Sequence, residues 1–501
     1  MAVAHRRAWR AVALALVPVL VAGALFLFRA GRPLEQGGDA YSDGDVVVAG
    51  RNFHDFGFAP LHFLPVLVPE PTRPPARDEY YTHYPPVPYL LNGLFRQWGL
   101  VDLRGWRLIS AAVSLAGLLL WFLALRALFD ETVAVIGVAT YALNFSFIWL
   151  GDSLHDYGYA DFLRLAAFCL GVRVARPRHR RLETAGLAMV LFAQSLVGFD
   201  YIPFSQALLL GLGATGLRGE RLRLLVLFAL MPALGVGLHL LQNAWTLGLP
   251  ASVADLAGAA AERSLARHFT VAALARHVLW DAGHYMGIGL GTMAGFGAFG
   301  AVAWAKLAPP SARGLAARVL ITFAVASGLW YVLMSQHATE HPYENRQLLP
   351  LASLALALGL RGLYGLVALY SGRWALAGTA LVAMGLVADG GIAYWNDANQ
   401  RGRVSESFAV AYSQGTALPR GVAVVTNIPA PSPPALAALV DRRVRLARSI
   451  PELEAGAHSG EAVVYLYSAS CPVGDDLVDL LRRGKTIKMD QTGATVELTI
   501  P

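Results

Sequence analysis

Asp39, Asp43 and Asp45 stand close together soon after the first apolar stretch, Trp9 to Phe28. Carboxylates held wet at the rim of a membrane can act as a general base or as ligands to a hard divalent cation. They can also be no more than a solvated turn, since Asp and Gly are ordinary turn residues. Three further polar clusters invite the same question. Asp152-Ser153-Leu154-His155-Asp156 is followed by Asp161 and Arg164. Gly198-Phe199-Asp200-Tyr201 forms another, and the stretch from Gln336 to Arg346 carries His337, Glu340, His341, Tyr343, Glu344 and Arg346. Carboxylates beside His and Arg in short connections are the side chains that proton transfer and anion stabilisation need.

The elements that must carry these clusters are membrane spans. Apolar residues make up 55% of the 501 and charged residues 15%, and the mean hydropathy is +0.47. Soluble domains carry about 25% charged residues, so the composition predicts a polytopic α-helical membrane protein. Runs of about 20 apolar residues suit a helix that crosses the bilayer. Eleven are predicted, at 8–28, 107–128, 132–150, 157–175, 184–199, 202–217, 224–243, 285–305, 319–335, 347–369 and 374–393. Arg6, Arg7 and Arg10 place the N-terminus inside. The inner connections then collect Arg126, Arg173 to Arg181, Arg218 to Arg223, Lys306 to Arg318, and Arg361 with Arg373. The short outer turns 151–156 and 199–203 carry no Lys or Arg, as the positive-inside rule requires. The net charge of +7 belongs to these inner loops and gives no sign of nucleic-acid binding. The first span is read as retained, without a clear small-residue cleavage site after it. Cys169 and Cys471 make no disulfide framework or metal-site spacing.

All four clusters fall on the outer face. That face also carries the longest connections, 29–106, 244–284 and 336–346, and a tail from 394 to 501. The first outer loop is rich in Pro and aromatic residues, as interfacial segments are. Within it, Tyr89 to Trp98 reads as a short interfacial helix with Leu90, Leu91, Leu94 and Phe95 on one face. The tail alternates strand and helix signals. Strands are predicted at 422–426, 463–468, 485–489 and 495–500, and helices at 434–441, 450–455 and 474–483. The predicted domains are a transmembrane module over 1–393 and a small α/β domain outside the membrane over 394–501. Asp43-Gly44-Asp45 also matches the acidic triplet of nucleotide-sugar enzymes, but it faces a compartment where nucleotide sugars are not normally supplied.

In several motifs, taken in order, the chain resembles the GT-C superfamily of membrane glycosyltransferases, in its ArnT-like and protein-mannosyltransferase-like branch. Ser42-Asp43-Gly44-Asp45 with Ala49-Gly50-Arg51-Asn52-Phe53 and Gly57 is similar to that branch's acidic motif and the segment after it. Tyr84-Pro85-Pro86-Val87-Pro88-Tyr89-Leu90 is similar to the start of its interfacial helix. Asp156 sits where the family keeps a second acidic residue. His341-Pro342-Tyr343-Glu344-Asn345-Arg346-Gln347-Leu348-Leu349-Pro350 is similar to the start of its late span, and the tail is similar to its small outer domain. The chain departs from the pattern in having Asp-x-Asp for the usual Asp-Glu pair and in a Pro-rich insert from Leu67 to Asp78.

The resemblance implies an inverting transfer of a sugar from a polyprenyl-phosphate donor to an acceptor hydroxyl on a glycan, lipid or protein, at the outer face of the cytoplasmic membrane. It implies Asp43 or Asp45 as the base and Asp156 as orienter. Arg346, His341, Tyr343, Arg164 and Tyr84 are the expected contacts to the lipid phosphate and sugar, since Arg and phosphate pair in bidentate fashion. Asp43, Asp45 and Asp156 are the expected ligands if a divalent metal takes part. Each assignment has a plainer counterpart: Arg164 pairing with Asp161 one helical turn away, Asp156 capping the fourth span, Arg346 anchoring its span at the interface. The alternative function is a multi-span transporter or lipid flippase, which would place ionisable groups or broken helices near the midplane.

Overall fold

The computed structural model describes residues 2–32, 39–69, 73–175, 181–199, 218–264, 290–308, 314–341 and 346–369. In the C-terminal part it describes 423–427, 437–438, 444–454, 462–468, 473–489 and 493–499, with isolated positions between these stretches. The described chain is mostly helical and ends in a small sheet.

Helix α1 (Ala2–Ala30) leads to α2 (Ala40–Phe56). After α3 (Val87–Gln97) come α4 (Leu103–Leu128), α5 (Glu131–Ala142), α6 (Phe145–Leu150) and α7 (Tyr157–Val174). Then follow α8 (Arg181–Val197), α9 (Arg218–Leu247), α10 (Leu249–Arg263) and α11 (Leu290–Leu307). The series closes with α12 (Leu315–Leu333), α13 (Ser335–Glu340) and α14 (Leu349–Ala368). Among the described residues, four stretches are long and apolar enough to cross a membrane: Ala11–Ala30, Leu103–Leu128, Leu315–Leu333 and Arg346–Ala368. The predicted spans at 202–217 and 374–393 lie almost wholly outside the described residues.

The structure departs from the predicted elements in the span 132–150, in the acidic cluster and in the tail. The span predicted over 132–150 is broken at Leu143-Asn144, because Asn144 caps α6 by accepting a hydrogen bond from the Ser146 N–H (3.0 Å). The acidic cluster is helical rather than a turn. Asp39 caps α2 through the Ser42 N–H (3.2 Å), Asp43 lies in the first turn where the helix dipole favours a carboxylate, and Gly57 (φ 85°) ends it. A strand that was not predicted, Val444–Leu446, pairs beside the first strand of the tail.

Core packing links α1, α4, α5, α7, α8, α12 and α14. The fully buried Trp121 of α4 donates through Nε1 to Ser353 Oγ of α14 (3.0 Å), which donates to the Gly137 carbonyl of α5 (2.7 Å). In the tail, β1 (Ala423–Thr426), β2 (Val444–Leu446), β3 (Ala462–Ser468), β4 (Lys485–Met489) and β5 (Gly493–Thr499) form one sheet in the order β2-β1-β3-β5-β4. β1 is parallel to β2 and β3, and the other pairings are antiparallel. Helices α15 (Ile450–Glu454) and α16 (Asp475–Arg483) accompany the sheet, and Leu453 and Leu477 share its second core. Of the predicted helix 434–441, only residues 437–438 are described.

The sheet bears on the site through α2. Val424, Val444, Val464 and Leu466 share one apolar cluster with Val46 to Ala49 and Phe53 of α2 and Tyr89 of α3. Arg51 donates to the Ala438 carbonyl (3.0 Å). α2 also crosses α3 at two glycines. A Cβ on Gly50 would press into the Asn92 side chain, and one on Gly93 would stand 2.6 Å from Phe53 Cβ.

Candidate active site

Spacing of two residues on a helix turns side chains to opposite sides, about 200° apart, and Asp43 and Asp45 follow it. Asp43 is fully buried. Its Oδ1 accepts from Ser153 Oγ (2.5 Å) and the Leu154 N–H (2.8 Å), so it ties α2 to the turn between α6 and α7. Burial pushes its pKa up to about 6, although Arg107 and the Ser153 bond pull it down. Asp45 is half-buried. Burial raises it to about 7, against the opposing charge of His155 and with the support of Asp39. Asp39 caps the helix and also accepts from the Tyr157 hydroxyl (2.6 Å).

The turn that Asp43 grips is held from the membrane side as well. Arg29, at the end of α1, donates from Nε to Asp152 Oδ2 (2.9 Å) and from a terminal nitrogen to the Ile148 carbonyl (2.6 Å), and it forms a second, shorter contact to Asp152 Oδ1. Ser114 Oγ donates to the Gly151 carbonyl (2.6 Å). This brings His155 and Asp156 to the Asp45 side of α2. His155 Nδ1 lies 2.6 Å from Asp156 Oδ1, and His155 Nε2 lies 3.1 Å from the Tyr89 hydroxyl. Burial disfavours the imidazolium, yet the Asp156 carboxylate outweighs it and holds His155 above its ordinary pKa. Burial likewise opposes the Asp156 charge, and His155 with Arg346 overcomes it and lowers that carboxyl. Asp156 stands at the start of α7 without capping it.

Arg346 and Arg164 lie deeper than the sequence reading places them. Arg346 is 1% exposed. Its guanidinium sits 4.0 Å from the centroid of the Tyr157 ring and donates to the Tyr157 carbonyl (3.2 Å). Asp156 and Asp161 lie 3.9 and 3.7 Å away. Arg164, fully buried, donates to Asp161 (2.7 Å), Tyr141 Oη (3.2 Å) and Gln347 Oε1 (3.1 Å). Both arginines lie beside buried carboxylates, Arg164 beside Asp161 and Arg346 beside Asp156 and Asp161.

A second group gathers around Tyr84. Its hydroxyl lies 3.3 Å from His337 Nε2, the Arg263 guanidinium lies 4.8 Å from its ring centroid, and Tyr81 stacks on it at 6.5 Å. His341 packs on His337 with ring centroids 4.5 Å apart. Burial, with His341 and Arg263 nearby, drives His337 well below its ordinary pKa. Tyr81 also packs edge-on against Tyr89 (5.9 Å), which joins the two groups. Helix α10, which ends at Arg263, is strapped to the first outer loop by Asp255, which accepts from Thr82 Oγ1 (2.6 Å) and lies 3.0 Å from His83 Nε2.

The structure thus brings Asp45, Asp156 and Tyr84 into one region with His341, while Asp43 faces away from Asp45 into the protein. Tyr343 and Asp200 lie outside the described residues. Among the described residues, no group of three or more His, Cys, Asp or Glu side chains converges as a metal-ligand set. Asp43 and Asp45 leave α2 on opposite sides, and no step of the proposed reaction runs through a metal. Sequence reasoning did not single out His155, Tyr89 and Arg263. His155 was in view within its motif, but nothing in the sequence shows that Tyr89 and Arg263 meet the site.

No protein-family model matches the chain, and no curated protein matches its sequence. Solved structures match its fold. ArnT from Cupriavidus metallidurans bound to undecaprenyl phosphate aligns at 13% identity and TM-score 0.62, over 98% of this chain and 97% of that one. The apo form of the same protein gives 14% identity and 0.58, over 96% and 97%. The archaeal oligosaccharyltransferase AglB from Archaeoglobus fulgidus, in complex with an inhibitory peptide and a dolichol-phosphate, gives 12% and 0.55, over 97% of this chain and 74% of that one. Across nearly its whole length the chain has the fold of these two proteins.

Proposed function

We propose that the chain transfers a sugar from a polyprenyl-phosphate donor to an acceptor hydroxyl, with inversion, at the outer face of the cytoplasmic membrane. In this reading the N-terminus is cytoplasmic, the module 1–393 holds the reaction, and the domain 394–501 stands outside and braces α2. Asp45 takes the acceptor proton as the acceptor oxygen attacks the anomeric carbon. The bond from that carbon to the phosphate oxygen breaks, and the lipid phosphate leaves as an anion. The leaving charge calls for cations. Arg263 and His341 beside Tyr84 are the side chains assigned to it, and Arg346 holds Asp156 from within.

The observation that carries this reading is the fold shared with the two matched structures over nearly the whole chain; within it Asp45, half-buried on α2, has its carboxyl raised by burial to about 7. A general base works best with a pKa near the working pH. Asp43 is assigned to structure because both its hydrogen bonds secure the turn. The donor family is suggested by the two matched structures, whose bound lipids are undecaprenyl phosphate and a dolichol-phosphate.

The test is deletion of the gene followed by mass spectrometry of lipid-linked sugars and envelope glycans. A polyprenyl-phosphate sugar accumulates in the deletion, and its mass names the donor. The wild-type gene clears it and Asp45→Asn, expressed to the same level, does not, since loss of a general base costs about 10²–10⁴-fold. A deletion strain with unchanged lipid-linked sugars defeats the proposal. Clearance by Asp45→Asn defeats the assignment of the base alone.

A further inference from the structure

Helix α10 is polar toward the protein and apolar away from it. Asp255 accepts from Thr82 Oγ1 and pairs with His83, and Arg263 lies over the Tyr84 ring. Ser252 and Ala259, on the same side, are buried. Away from the protein stand Leu249 and Val253, 55% and 50% exposed, with Pro250, Ala254 and Ala257. No exposed residue of α10 before Glu262 is polar. A helix that faces water has the reverse pattern.

Helix α9 is built the same way at its end. Asn243 donates to the Thr82 carbonyl (3.1 Å), so both helices turn a polar side to Thr82. Leu241 and Trp245, 67% and 64% exposed, stand two residues either side of Asn243, as Val253 and Ala257 stand either side of Asp255. That spacing puts all four on the far side of their helices from Thr82, about 200° round. The row on α9 runs back through the exposed Leu238 and Leu234 into the predicted span 224–243, where an exposed apolar face meets lipid. Trp245 ends the row, at the place of an interfacial aromatic. Gly248 (φ 85°) then turns the chain, and the apolar face resumes at Leu249. With 15 residues, α10 is too short to cross a bilayer.

We propose that the far side of α10 docks on lipid. The helix lies along the headgroup–acyl boundary of the leaflet beside the candidate site, with Leu249, Val253 and Ala257 against acyl chains. Lipid is the occupant because the same apolar face, followed back across Gly248, is the lipid-facing row of a span. The start of the helix suits that medium, since Pro250 in its first turn has no N–H to leave unpaired there. Asp255 and Arg263 are kept from the lipid by the body of their own helix. The Tyr84 group then lies directly behind a helix whose other side is membrane.

Spin labels read this depth directly. Val253→Cys and Ala257→Cys are made one at a time in the full chain carrying Cys169→Ala and Cys471→Ser, labelled, and placed in phosphatidylcholine nanodiscs. Power saturation compares collisions with oxygen, which concentrates in lipid, and with a water-soluble nickel chelate. Leu238→Cys on α9 is the lipid reference. Arg482→Cys on α16, where the side chain is 75% exposed, is the water reference. Both α10 labels favour oxygen as the Leu238 label does, at a depth of about 5–10 Å below the phosphates. A preference for the nickel chelate like that of the Arg482 label overturns the inference. Poor access to both reagents overturns it too, because the face is then covered by protein, another segment of this chain or a second copy. If one variant does not fold, the other and Leu249→Cys decide. The labels report position and need no glycosyl transfer, so the result stands apart from the proposed reaction.

Discussion

Gly50→Ala probes the platform that carries Asp45. A Cβ at Gly50 would lie 2.8 Å from Asn92 Cγ and 3.1 Å from Asn92 Cβ. Asn92 Oδ1 would be closer still, and carbon pairs prefer about 3.5–4.0 Å, so the Cγ contact alone is about 0.7 Å short. Asn92 is 3% exposed and sits across from α2 on α3, so it has little room to yield. Overpacking of this kind costs about 1–3 kcal/mol. Replacing a mid-helix Gly by Ala returns about 0.8–1 kcal/mol, which leaves a net loss of up to about 2 kcal/mol. Relief must come from moving α2 away from α3, and Asp45 moves with it. A displacement approaching 1 Å costs about 10²-fold in rate. Asn92→Ala removes the atoms in the way. The double variant Gly50→Ala/Asn92→Ala is therefore more stable than the sum of the two single losses by about 1–2 kcal/mol, a coupling within the range for residues in contact. Thermal unfolding in detergent gives the coupling, and clearance of the lipid-linked sugar gives the activity. A Gly50→Ala protein as stable and active as the parent, with no coupling to Asn92, refutes the packing argument.

Two more outcomes follow from the buried charges. Asp43 keeps its proton up to about pH 6 in the folded state but releases it near pH 4 when unfolded, so its ionisation costs folding stability as pH rises from about 4 to 6. Asp43→Asn stays neutral and loses that part of the decline, which a series of unfolding midpoints across this window detects; an identical pH slope in both proteins contradicts it. Arg29→Met strands Asp152, itself 2% exposed, and costs about 3–5 kcal/mol as expected for breaking a buried pair. Adding Asp152→Asn recovers most of the loss, and failure to recover any of it would show that the pair does not secure the turn.

Four of the long apolar runs, the helix before Trp98 and most strands of the tail were legible because each has a period or a length that favours one element. Helix α2 was not. Gly44, Gly50 and three consecutive valines are poor helix formers, and the helix exists because Asp39 caps it and both faces pack against other elements. The break at Asn144 was hidden by apolar residues running unbroken on either side. β2 escaped because three residues, one of them Arg445, carry too little pattern. In the site, the carboxylates with Arg164 and Arg346 were visible and Arg263 was not, and none of their directions could be read. An Arg near carboxylates reads the same whether it waits for a ligand, like the role given to Arg263, or is sealed inside a network, like Arg346. The separation of Asp43 from Asp45 follows from helical spacing alone once the helix is known.

The bond from Arg29 to Asp152 has a mechanical meaning. It pegs the turn bearing His155 and Asp156 to the last residues of the first span, and Asp43 pegs α2 to the same turn. The height of Asp45, the proposed base, is thereby referred to the end of α1 and not to the lipid around it. When α1 tilts to suit a thicker or thinner bilayer, the turn and α2 travel with it as one piece. Bilayer thickness can then alter how far a lipid headgroup must rise to reach the site while leaving the spacing of the reacting groups unchanged.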